Sequence, residues 1–202
     1  WIKFLPNGNY KYKYGGYPPD ETAGGWDGST NLADINGIIM SQTGADIHVK
    51  GTLSGQVTIF SGRHIYIEDD MVYQQDPRSY PNSQDMLGLV ATNDVIVADN
   101  PNTNDDLEIH AAILALNKSF KVKDYAERGG LVGTLTTVGS IVQSVVAPYR
   151  NQSSGYYESS IYDERFLQVG PPVFPLVNRA LVYSWHEKAS NQTTAVSTVT
   201  TN

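Results

Sequence analysis

A chain of 202 residues that is 40% apolar is long enough for one domain with a sizeable core. Its formal net charge of −7 and sequence pI near 4.9, with Lys and Arg never forming a run, argue against nucleic acid or an anionic membrane as a partner. The absence of cysteine excludes disulfides and thiolate metal sites.

Residues 1–34 read as an aromatic, Gly- and Pro-rich arm. Tyr10, Tyr12 and Tyr14 alternate with Lys, which predicts a hairpin or edge strand with one aromatic face. Pro18-Pro19, Gly24-Gly25 and Trp26-Asp27-Gly28 then break regular pairing. The arm is expected to cap or wrap the body. Because the chain starts at Trp1 with no basic-then-apolar leader, it is read as a processed mature protein or a piece of a longer one.

From Ile35 the pattern is strand and corner. One phrase recurs as Phe60 to Asp69, Val90 to Asp99 and Ala115 to Asp124, its copies 30 and then 25 residues apart. Ile65, Val95 and Phe120 fall at the same offset in it, and an Asp closes each copy. A unit with one apolar face must share a core with its neighbours, so the spacing predicts a stacked solenoid. A second phrase, Val49 to Leu53, Ile109 to Ile113 and Thr137 to Ile141, carries Gly or Ala at its centre, as a sharp corner needs. An antiparallel sandwich is the rival, but the Asn-Gly or Asp-Gly turns it favours do not separate these repeats.

Three stretches rich in Pro, Asn, Ser and Asp (74–85, 100–106 and 148–155) are predicted loops. Beyond Tyr156 the repeat stops. Gly170 to Pro175, with three prolines, reads as an extended strap. Ala180 to Trp185 reads as a strand, and a Thr-rich tail runs from Asn191 to Asn202. The expected organisation is therefore an all-β, single parallel β-helix: 1–34 arm, 35–155 body, and 156–202 strap, strand and tail. The longest apolar run, Ala111 to Leu116, is far short of the ~20 residues of a membrane span.

Several phrases together resemble a known family: Asn36 to Met40, Asp46 to Ile59, Ile65 to Tyr73, Asp85 to Ala91, Ile109 to Leu116 and Tyr162 to Phe166. Over roughly residues 36–175 the chain is similar to the uncharacterised repetitive domain carried behind a pilin-like leader in large bacterial surface proteins related to type IV pilus accessory components. The resemblance implies an exported, surface-associated β-helical domain, with no catalytic residues to carry over. The chain departs from the family pattern at Glu164, where Pro often follows Tyr-Asp, and in lacking a hydrophobic prepilin helix.

Candidate chemistry is sparse. Asp69, Asp99 and Asp124, with Asp70, would form a carboxylate row if the chain acted on polysaccharide; the stronger reading is that each Asp ends a strand by bonding a nearby amide. Asp99, Asp105 and Asp106 are calcium candidates in an oxygen-rich loop without EF-hand spacing, and a solvated turn is the stronger reading. His48, His64, His110 and His186 have no metal-ligand spacing. No nucleophile elbow or phosphate loop occurs.

Tyr10, Tyr12, Tyr14 and Trp26, with Tyr17 beside them, are candidate glycan or assembly contacts, although a cap over the open end of the core is the stronger reading. Thirteen Tyr, abundant Asn, Thr and Ser, and sequons at Asn117, Asn151 and Asn191 suit a secreted protein.

The expectation is an extracellular, non-enzymatic structural protein of the cell surface, without a resident cofactor. It would contact copies of itself as a filament or scaffold, or surface glycans. A carbohydrate-binding or carbohydrate-degrading β-helix is the alternative.

Overall fold

The computed structural model describes residues 1–21, 24–41 and 44–175. The expected strand at 180–185, the tail at 191–202, His186 and the Asn191 sequon lie outside the described residues. The described residues are mostly β: strands make up 46% of them, and their helical segments are 3-10 turns of three or four residues.

In chain order the strands are β1 (Ile2–Phe4), β2 (Asn9–Tyr12), β3 (Gly28–Asn31), β4 (Ile38–Met40), β5 (Ile47–Leu53), β6 (Gln56–Ser61) and β7 (Ile65–Tyr73). They continue as β8 (Met86–Ala91), β9 (Val95–Val97), β10 (Leu107–Ala115), β11 (Phe120–Val122), β12 (Leu131–Gln143) and β13 (Gly155–Tyr162). All thirteen belong to one mixed sheet, curled like half a barrel.

The strands of the body pair in parallel along three runs. Ile47, Ile65, Val95 and Phe120 are successive register partners on the first. The second passes from Gly51 through Met71, Ile109 and Thr137 to Ser160. The third links Ile38, Thr58, Gly88, Ala112 and Ser140. Each strand's alternate side chains point inward, so Val57, Ile59, Leu87, Leu89, Ile109 and Phe120, all at most 1% exposed, meet in one core. Burying each such side chain contributes ~1.5–3 kcal/mol, which no rung secures alone.

The arm differs from the body. β1 joins β5 in parallel, but β1–β2 and β2–β3 are antiparallel, which is why the sheet is mixed. The cause is local: Pro6-Asn7-Gly8 forms a tight turn, with Gly8 at φ 80 and its N–H donating to the Leu5 carbonyl at 3.2 Å. Phe4, Tyr10 and Leu32 from this hairpin region close one end of the core.

Two alignments of the repeats shift in register. Ala111 and Gly139 are partners as expected, whereas Gly51 lies beside Met71 and so two positions away from the place its phrase assigned. A register irregularity lies between Val49 and Gly51, and Met71 in turn faces Ile109 rather than Ala111. Val90 pairs with Leu114, one residue before the expected Ala115, because the corner through Asn117-Lys118-Ser119 holds an extra residue.

Candidate functional site

The densest polar chemistry lies where the 74–85 loop folds over β10. His110 points outward between the inward Ile109 and Ala111, yet it is only 2% exposed. Its Nδ1 accepts the Tyr73 backbone N–H at 3.1 Å, so the imidazole proton resides on Nε2, which donates to Glu108 Oε1 at 2.9 Å. Arg78 grips Asp76 through Nε at 3.0 and 2.9 Å and Nη2 at 2.6 Å, and donates also to Glu108. The Asp70 carboxylate accepts the Glu108 backbone N–H at 2.8 Å.

Ligand atoms of Asp76, Glu108 and His110 lie within 4.8 Å of one another, the spacing of a metal site. The surroundings fit a cation poorly. Arg78 already supplies positive charge to both carboxylates, and the nitrogen facing Glu108 carries a proton. Hydrogen bonds from Arg78 hold the Asp76 pKa below its usual value, while burial raises that of Asp70. The arrangement neutralises charge and fastens the loop.

A second arginine fastens the other end of that loop. Arg165 donates to the Ser83 carbonyl at 2.8 Å, pairs with Asp163 at 2.7 Å and lies 5.4 Å over the Tyr73 ring. Tyr73 accepts the Leu87 N–H at 3.1 Å, and burial pushes its pKa up. Between Pro77, Arg78 and Pro81 on one side and Val138, Ile161 and Tyr162 on the other is an open cleft of about 250 Å³.

The structure separates most residues singled out from sequence. Asp69, Asp99 and Asp124 follow Ile67, Val97 and Val122, which are register partners, so the row rides on successive rungs. The Asp69 carboxylate accepts the Asp70 N–H at 2.8 Å, Asp99 sits 3.9 Å from the Arg128 guanidinium, and Asp124 adopts φ 48. Among the described residues they form no three-member carboxylate cluster.

Asp99, Asp105 and Asp106 likewise form no such cluster among the described residues. Asp106 accepts the Thr134 N–H at 2.7 Å, and Asn100 caps the turn Pro101–Thr103. The carbonyls a calcium ion would seek carry a protein cation instead. Arg128, whose side chain is 0% exposed, donates to Ala98 O and Thr103 O at 2.5 Å each and lies 5.3 Å over Tyr156. Burial pushes the Tyr156 pKa up to about 12.

In the arm, Tyr10 is 8% exposed and packs 6.3 Å from Phe4, which removes it from the candidate contact set: it is a core residue. Tyr12 is half-buried between Tyr10 and Tyr14. Tyr14 and Tyr17 are 80% and 84% exposed, and Trp26 is half-buried. His48 is held in a stack, 4.0 Å from Trp1 and 4.8 Å from Tyr66, with Nδ1 2.5 Å from Glu68.

The two ends of the sheet are unlike. At the first the arm extends the sheet from β5 and leaves β4 paired only with β6, whereas at the second β13 pairs only with β12 among the described residues. There Tyr157, Ile161 and Tyr162 are exposed, as are Val142, Val145 and Val146. This end, with its strand edge beside apolar side chains, is the candidate assembly surface. Sequence reading missed both it and the Arg78 network, because neither is a motif: Asp76 and Glu108 meet only after a full turn of chain.

No protein-family model, curated protein or solved structure matches the chain.

Proposed function

We propose that this is a non-enzymatic structural protein of the bacterial cell surface, a parallel β-helix that associates with copies of itself through the end formed by β12 and β13. The observation that carries the reading is the difference between the ends among the described residues: Phe4, Tyr10 and Leu32 close the core at the arm end, where the strap's Pro172 lies at the start of the edge strand β4, whereas the parallel edge of β13 has no further strand beside it and is flanked by exposed Tyr157, Ile161 and Tyr162. An edge of unpaired amides beside exposed apolar side chains favours strand addition. Three parallel ladders in register support the β-helical reading of the body. The resemblance to the repetitive domain of pilus accessory proteins supports an extracellular setting.

Sedimentation velocity of the purified protein over a hundredfold concentration range tests the reading. Oligomers that grow with concentration are expected, with filaments in electron micrographs of the densest samples. Ile161→Lys together with Tyr157→Lys places charge on the exposed end and is expected to leave a folded monomer with an unchanged circular dichroism spectrum. Wild-type protein that stays monomeric at every concentration would overturn the proposal.

Surface glycan binding by the arm is a second reading, favoured by the exposed rings of Tyr14 and Tyr17. It requires that glycan-array binding disappear in Tyr14→Ala.

A further inference from the structure

The strap that follows β13 occupies a groove on the outside of the third ladder. Thr58, Gly88, Ala112 and Ser140 are consecutive register partners with small outward side chains, and they leave a channel along the stack. Thr58 Oγ1 donates to the Pro172 carbonyl at 2.5 Å. A Cβ added at Gly37 would come within 2.8 Å of the Pro172 ring, and one added at Gly88 within 2.6 Å of the Phe174 ring. The channel is therefore shaped to its occupant.

The direction of that occupant is informative. Pro172 lies at Gly37, just before β4, and Phe174 lies at Gly88 on β8, so this part of the strap runs from the arm end of the stack toward the β13 end. The strap, however, leaves from the β13 end. It must descend past the rungs and then reverse. The reversal is the turn Pro171–Phe174, closed by the Phe174 N–H on the Pro171 carbonyl at 3.2 Å, with Val173 at φ 57. That is the third position of a type II turn, where glycine belongs and a β-branched residue is strained.

We propose that the strap of one molecule seats in the Gly37–Thr58–Gly88 channel of a second copy docked on its β13 end. This inference rests on the self-association proposed above and names its latch. A strap arriving from a preceding copy would meet β4 first and then β6 and β8, the order already seen, without reversing. The exchanged strap remakes every seat contact and frees Val173 from its turn, the usual setting for swapping an element between copies. Reach is sufficient: on its own molecule the strap spans five ladder steps from β13 to β4, about 24 Å at ~4.8 Å per step, and β4 of the next copy is nearer.

The test mixes ¹⁵N-labelled and unlabelled protein, both carrying p-benzoylphenylalanine at position 174, and irradiates the monomer and oligomer fractions separately. Peptides linking a labelled strap to an unlabelled channel are expected in the oligomer fraction, and same-isotope links alone in the monomer. Oligomers carrying only same-isotope links would overturn the latch and leave self-association standing. A mixture with no oligomer fraction would overturn both.

In otherwise unmodified protein, Val173→Gly relieves the turn and is expected to weaken association at least tenfold while keeping the monomer folded. Gly88→Val, which blocks the Phe174 seat, is expected to weaken it similarly. Association unchanged in both variants would also overturn the latch.

Discussion

At the residue scale, Glu21 is a clear case of charge organised by the fold. Burial works against its charged form, but Lys50 at 2.6 Å and Lys3 at 2.9 Å outweigh that and hold its pKa down to about 2, from an ordinary 4.5. The two lysines belong to β5 and β1, so the carboxylate ties the connecting segment of the arm to the first parallel pair. Because the folded pKa is depressed, the stabilisation is fully present above pH 4.5 and is lost as pH falls toward 2. The carboxylate is 38% exposed, so solvent screens the pairs and Glu21→Gln is expected to cost no more than ~1 kcal/mol at pH 7. Urea titrations should show wild type and variant separated at pH 7 and converging near pH 2. Equal separation at both pH values would mean that the carboxylate acts by packing rather than by charge.

At the element scale, each rung is fixed by close backbone approach as much as by apolar content. Gly139 in β12 lies at φ 151, and a Cβ there would come within 1.9 Å of the Ala111 carbonyl oxygen on β10. Gly139→Ala is therefore expected to displace β12 from β10 and loosen β13 beyond it, with backbone strain alone costing ~1–3 kcal/mol. Hydrogen exchange should show lost protection from Leu135 to Tyr162 with β5–β8 intact; uniform protection across the sheet would refute the account. The same element explains what the sequence made legible. The pairing of Ile109–Ile113 with Thr137–Ile141 was readable because inward apolar residues alternate through both strands and a small residue marks the close approach. Gly51 misled the reading because β7 stands between β5 and β10, and the register through it, irregular between Val49 and Gly51, is not encoded in composition. The arm's hairpin was legible in the alternation of Tyr10, Tyr12 and Tyr14, whereas the turn Pro6-Asn7-Gly8 that makes β1–β2 antiparallel went unread. Asp76–Arg78 and Asp163–Arg165 are local pairs two residues apart, but the networks they join were illegible, since Arg78 reaches Glu108, Arg165 reaches the Ser83 carbonyl and Arg128 reaches the Ala98 and Thr103 carbonyls across separations of 25 to 82 residues that no spacing rule connects.

At the scale of the whole molecule, the polar clusters are largely spent on holding the loops. Arg78 and Arg165 fasten the 74–85 loop and Arg128 fastens the 98–103 loop, while one group of exposed apolar side chains lies at the β13 end and another, Tyr14, Tyr17 and Met40, in the arm and on β4. A net charge of −7 repels one copy from another, yet beside the exposed Glu158 and Ser160 the end carries Tyr157, Ile161, Tyr162 and Val142, with Arg150 lying 4.8 Å over the Tyr157 ring. Salt then has a definite sign. Screening shortens the reach of the repulsion to about 10 Å at 0.1 M and about 3 Å at 1 M, while apolar contact and strand pairing persist. The average mass in sedimentation equilibrium is therefore expected to rise between about 0.05 and 0.5 M NaCl, and to rise again as pH falls toward the pI near 4.9. An interface built on ion pairs would respond in the opposite direction, because screening would weaken the contacts as well as the repulsion. A mass that falls as salt increases would shift the assembly surface away from β13 and toward the charged faces of the sheet.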